Sequence, residues 1–151
     1  MTDGGLLTQA NAFLKQVIPV ASGMGVEFTA IRPGYVQASV PLEGNANHFG
    51  AMYAGVIFTV AEVLGGAIHF ATFDATTHYP LVRGVEIEFL APGTSRLTAT
   101  AQLSENEVAR MRAEAATGAK VPFVLTAEVV GEDGTLVART RGDYQLRPFG
   151  S

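Results

Sequence analysis

The 151-residue chain contains no cysteine. That excludes disulfides, thiolate metal sites and a cysteine nucleophile together, so any catalysis has to use oxygen or imidazole groups. Histidines number three and none are paired at an HxxxH spacing, which leaves no ligand set for zinc. Basic residues are also scarce: 10 lysines and arginines stand against 14 acidic residues, for a net charge of -4. No basic stripe is available to neutralise phosphates, so nucleic acid is excluded as a partner. No Gly-x-Gly-x-x-Gly loop follows a strand-like run and no Gly-x-Ser-x-Gly occurs, which removes dinucleotide-fold chemistry and the strained serine elbow. No cofactor and no metal are expected. The N-terminus has no basic region followed by an apolar run and a small-residue cleavage site, so it does not read as a signal peptide, and the expected location is the cytoplasm.

What is present is apolar: 48% of residues are hydrophobic, enough for the core of a single domain covering 1–151. Leu6, Leu7, Ala10, Phe13, Leu14 and Val17 have helical spacing, which predicts a helix over about 6–18 ended by Pro19. Short β-type runs follow, Val26 to Ile31 and Tyr35 to Leu42, joined at Arg32-Pro33-Gly34. A long apolar segment then predicts a helix over about 51–73. Its length raises the membrane question, but it holds Glu62, His69 and the pair Gly65-Gly66, so a buried core helix is the expectation and no membrane partner is implied. Beyond it come strands at Leu81 to Leu90 and Arg96 to Leu103. Ser104 and Glu107 form a capping-box pattern that predicts a short helix over about 105–117. Two last strands, Val121 to Val130 and Leu136 to Leu146, flank the hairpin signal Gly131-Glu132-Asp133-Gly134. Five or six antiparallel strands cannot leave so apolar a helix in water. The predicted fold is therefore α+β, a curved antiparallel sheet wrapped around a long central helix.

Between Glu43 and Asp74 the only formal charge is Glu62, in the middle of that helix. A buried carboxylate is costly and responds by pairing or by a raised pKa, and such groups gather at functional sites. Residues three, four or seven places away share its face, among them Gly55, Thr59, Gly65, Gly66 and His69; all but the histidine are small, leaving room for a substrate or another backbone. Glu62 therefore reads either as a reactive carboxylate or as an acceptor at a subunit interface. Asn47, in the turn before the helix, reads either as a helper of an oxyanion hole at the helix start or as a helix cap.

The turn Asn47-His48-Phe49-Gly50, the small pair Ala54-Gly55 at the helix start and an acid fifteen residues after the asparagine resemble the hot-dog-fold acyl-CoA thioesterase superfamily. The nearest branch is that of phenylacetate-degradation (PaaI-like) enzymes and their YiiD C-terminal-type relatives, and the resemblance covers most of Met24 to Leu146. It implies that Glu62 activates water or attacks the thioester, that Asn47 helps hold the carbonyl or the water, and that Ala54 and Gly55 present a backbone N–H to the carbonyl oxygen. It also implies a homodimer whose sites are shared between subunits, with a dimer of dimers as the larger assembly, and a small-molecule acyl thioester as substrate. His48, Tyr53, Thr59, Gly65, Gly66, Val82 and Arg83 are the expected substrate contacts, Arg83 as a candidate for a CoA phosphate. Two positions depart from the family pattern: Tyr53 replaces a histidine and Glu62 an aspartate. Two other readings stay open, an enoyl or hydroxyacyl thioester dehydratase using His48 with Glu62, and an acyl-thioester binder without activity.

Overall fold

The computed structural model describes residues 3–151. Helix α1 (Asp3–Val17) begins earlier than the expected residue 6, and Pro19 does more than end it. A proline has no N–H to lose at a first helical position, so a second short helix, α2 (Pro19–Gly23), starts on it. Asn11 ties α1 to the sheet: its Nδ2 donates to the Phe28 carbonyl at 2.9 Å and its Oδ1 accepts from the Phe28 N–H at 2.8 Å.

Six strands follow the alternation of the sequence: β1 (Glu27–Arg32), β2 (Tyr35–Val40), β3 (His78–Phe89), β4 (Leu97–Gln102), β5 (Val121–Val130) and β6 (Leu136–Pro148). They form one sheet in the order β1-β2-β4-β5-β6-β3, with every neighbouring pair antiparallel. In β5 the residues Val121, Phe123, Leu125, Ala127 and Val129 point inward while their neighbours up to Glu128 face solvent, the two-residue period that covers a sheet on one face. The β1–β2 turn needs Gly34, which has φ +79° and whose Cβ would stand 3.0 Å from the Leu103 carbonyl oxygen.

Helix α3 (Ala54–Thr72) crosses the inner face of the sheet against β1 to β5. Val60, Leu64 and Ile68 are fully buried against inward residues such as Val36, Val40, Leu97 and Val129. Each such side chain contributes about 1.5–3 kcal/mol by leaving water. Among the described residues α3 is the one helix long and apolar enough to cross a membrane, and its packing on the sheet makes it a core helix. It begins three residues later than the expected 51. Ala51 to Tyr53 are held out of helix by their neighbours: Met52 N–H donates to the Gly93 carbonyl at 2.8 Å and Tyr53 N–H to the Asn45 carbonyl at 2.9 Å, with Met52 bridged to Ala46. It ends at Thr72, where Phe73 turns extended and Arg112 Nη2 donates to the Thr72 carbonyl at 2.7 Å, a cation at the negative end of the helix dipole.

Helix α4 (Glu105–Ala115) is two residues shorter than expected, and only half of the capping box forms. Ser104 Oγ accepts from the Glu107 N–H at 3.1 Å, but the Glu107 carboxylate turns away to Arg110, which donates to it from Nε at 3.0 Å. A curved six-stranded antiparallel sheet around one long helix is the hot-dog architecture.

Candidate active site

The loop before α3 is built around Asn47. Its Oδ1 accepts from the N–H of Phe49 at 2.9 Å and of Ala51 at 3.3 Å, while its own N–H donates to the Ala51 carbonyl at 2.7 Å. Gly50, at φ +79°, lets the loop close. Asn47 is therefore not the helix cap. That position belongs to Tyr53, whose side chain makes no capping bond and whose ring covers Gly55, 2.6 Å from where a Cβ would stand. Among the donors that hold no partner here are the N–H groups of Ala54 and Gly55, as expected at a helix N-terminus, and the Asn47 Nδ2. Asn47 and Ala54 open together onto a cleft of about 420 Å³ whose other walls include Ile57, Phe89 and Leu90. Backbone donors, the positive end of a helix dipole and apolar walls suit a carbonyl oxygen that gains negative charge.

Glu62 lies two turns further along α3. It is half-buried, makes no hydrogen bond or ion pair among the described residues, and its carboxyl is held above the ordinary glutamate range by burial alone. Beside it stands a residue that the sequence did not single out, Tyr144 of β6. Its ring stacks on Phe123 at 5.3 Å and fills the space that a side chain at Gly65 would occupy. Burial, and then the charge of Glu62, push the Tyr144 phenol up to about 12. Two mid-element glycines, Gly65 and Gly142, mark the position, since a Cβ on either would collide with this ring.

Within one chain the helix start and Glu62 stand apart. Eight residues of helix put Ala54 and Glu62 about 12 Å apart along the axis, further than a glutamate side chain spans. The remaining expected contacts scatter. The Thr59 hydroxyl donates back to the Gly55 carbonyl at 2.7 Å, which commits it within the helix. Gly65 makes room for Tyr144, whereas Gly66 is exposed with nothing within 4 Å of a built Cβ. His48 is exposed and packs on Phe49, with ring centroids 4.0 Å apart. Val82 is exposed on β3, opposite Tyr144 in the β6 ladder, and Arg83 is the extra residue of a bulge there. Arg83 lines a groove of about 650 Å³ with Arg110 and Asp143, apart from the cleft at the helix start. His69, on the Glu62 face, is buried, and its ring is depressed to about 4 by burial and by His78. Among the described residues no three histidine or acidic side chains gather as metal ligands would.

The fold defines a member of the hot-dog-fold thioesterase superfamily, in keeping with its PaaI-like branch. The chain belongs to the DUF4442 family, described as a domain of unknown function, which matches residues 8–146. A protein of unknown function from Pseudomonas aeruginosa, designated a probable thioesterase, is 32% identical and superposes with a TM-score of 0.88 over 93% of this chain and 95% of its own. A second P. aeruginosa protein, a thioesterase, is 24% identical with a TM-score of 0.75, over 95% of this chain and 94% of its own. A Haemophilus influenzae thioesterase is 17% identical with a TM-score of 0.76, over 96% and 92%. No curated protein matches the chain in sequence.

Proposed function

We propose that the protein is a cytoplasmic acyl thioesterase that hydrolyses an acyl-CoA, or a related thioester, to the free acid and thiol without a cofactor. The observation that carries this reading is Glu62: an unpartnered, half-buried carboxylate of raised pKa in the core helix of a fold shared with thioesterases. Glu62 takes a proton from water as the water oxygen bonds to the thioester carbon. The carbonyl electrons move onto oxygen, where the Ala54 N–H and the Asn47 Nδ2 hold the charge. The C–S bond then breaks, and the thiolate leaves with the proton that Glu62 took up. Direct attack by Glu62, through an anhydride, needs the same constellation.

The reading requires two chains. The β3 edge not bonded to β6 has no strand partner among the described residues, and Val82, Phe89 and Leu90 at or beside it are exposed. A long free edge of this kind is a ready template for another strand. Pairing of β3 with its own copy about a two-fold axis sets two α3 helices side by side and antiparallel, so that Glu62 of one subunit approaches the helix start of the other. A homodimer with shared sites follows, and a dimer of dimers remains compatible with it. Arg83 is then a candidate contact for a CoA phosphate.

The test is thiol release from a panel of short, medium and aromatic acyl-CoAs. Glu62→Gln is expected to lower kcat by about 10²–10⁴ and Asn47→Ala by about 10²–10³. Thiol release unaffected by Glu62→Gln overturns the reading. Hydration of crotonyl-CoA that depends on His48 replaces it with a dehydratase, although exposed His48 packs on Phe49 and has no bond to Glu62.

A further inference from the structure

Helices α1 and α3 leave a groove of about 90 Å³ between them, with Phe13, Leu14 and Ile18 on one wall and Val63, Gly66 and Phe70 on the other. No residue that lines it carries a polar side chain. Phe13 is 56% exposed, and its ring lies nearly parallel to that of Phe70 with centroids 6.2 Å apart, so apolar surface is left in water along the groove. A protein helix, about 10 Å across, is too wide to enter so small a space, whereas an alkyl chain is not.

Nothing within the chain requires a glycine at Gly66. Gly65 makes way for Tyr144, but a Cβ at Gly66 would meet nothing within 4 Å, and a helix interior disfavours glycine relative to alanine. Open space over a glycine lets a ligand approach the backbone closely. Gly66 also follows Glu62 by four residues, which is one turn and about 6 Å along α3, so the groove begins beside the carboxylate.

We infer that this groove holds the acyl chain of the substrate and that Gly66 sets how far the chain enters, an inference that rests on the reading of Glu62 as the reacting carboxylate. A slot without polar lining, ending at a carboxylate, is complementary to a molecule whose reacting carbonyl bears an alkyl tail. The substrate class is therefore an unsubstituted aliphatic acyl thioester. A polar group on the chain would lose its hydration there without gaining a partner.

The experiment uses acetyl-, butanoyl-, hexanoyl-, octanoyl- and succinyl-CoA. In the parent, kcat/KM is expected to rise about fourfold for each methylene until the groove is full, and succinyl-CoA to fall at least about tenfold below butanoyl-CoA, which has the same number of carbons. Gly66→Leu puts a side chain into the groove and should lower the octanoyl-to-acetyl ratio of kcat/KM about tenfold or more. Phe13→Ala, on the exposed side of α1, removes part of the opposite wall and should lower the same ratio about threefold. A ratio unchanged in both variants overturns the inference. Binding is read separately in Glu62→Gln by NMR: octanoyl-CoA should shift the methyl signals of Leu14, Ile18 and Val63, and acetyl-CoA should leave them in place. Methyl signals that octanoyl-CoA does not move overturn the inference, whether the groove stays empty or a second subunit already fills it. Because this titration needs no turnover, a chain seated in the groove of a parent protein that releases no thiol sustains the groove and sinks only the hydrolytic reading.

Discussion

The Tyr144 hydroxyl oxygen sits 2.7 Å from the point where Gly65 would carry a Cβ, whereas the next residue, Gly66, has nothing within 4 Å of the same point. In a helix interior alanine is favoured over glycine by about 1 kcal/mol, so space decides the sign of a substitution. Gly66→Ala is expected to stabilise the protein by about 0.5–1 kcal/mol. Gly65→Ala has to displace a ring wedged against Phe123 and is expected to destabilise by about 1–3 kcal/mol. Urea unfolding of both variants checks this. A destabilised Gly66→Ala would place another chain against that glycine.

If each site takes Glu62 from one subunit and the helix start from the other, two dead variants should rescue one another. Glu62→Gln and Asn47→Ala subunits, mixed and allowed to exchange, form about half heterodimers, and each of these has one site free of both substitutions. The expected recovery is about a quarter of the parent activity, well above either variant alone. A mixture no more active than the mean of its components would return both groups to one chain.

The strands of this fold are legible because alternation and turn formers agree, as in Val121 to Val129 and the glycine-rich hairpin beyond it. Glu62 stands out for an equally local reason, one charge in an apolar run. What is not legible depends on partners far along the chain. Ala51 to Tyr53 are compatible with helix, and bonds to Asn47, Gly93 and Asn45 keep them out of it. Arg112 looks like any charge on a surface helix until it meets the Thr72 carbonyl, 40 residues away. Tyr144 reads as an ordinary inward strand residue, and only folding sets it beside Glu62. Its one advance sign was a pair of unexplained glycines, Gly65 in a helix and Gly142 in a strand.

Glu62 links pH to activity and to stability in opposite senses. As a base it must be ionised, so kcat/KM should rise with pH through a midpoint above the ordinary glutamate value of 4.5, and Glu62→Gln should lack this limb. For folding, a raised native pKa means that the native state holds a proton the unfolded state has released, so Glu62 favours the native state at low pH and opposes it once ionised. Glu62→Gln is therefore expected to be more stable than the parent at pH 8, with the difference closing as pH falls through the raised native midpoint toward 4.5. Denaturation midpoints at pH 4 and pH 8 test this. A stability difference that widens toward low pH would mean that the carboxylate is held by a favourable partner.

His69 should govern the acid limit of the fold. Its ring is buried, its Nε2 has no partner, and burial together with the neighbouring His78 lowers its pKa from 6.5 to about 4. Between those values the unfolded chain binds a proton that the native chain refuses. Stability is therefore fully present above pH 6.5 and is lost as pH falls toward 4. By pH 4.5 the loss from this one group is about 2 kcal/mol. His69→Leu removes the titration while keeping an apolar side chain in the same space, so its stability should change less between pH 7.5 and pH 4.5, by about that amount. Parallel urea titrations of parent and variant at the two pH values give the comparison. Equal losses in both would show that His69 accepts its proton in the native fold, through a partner that Nε2 reaches only when charged.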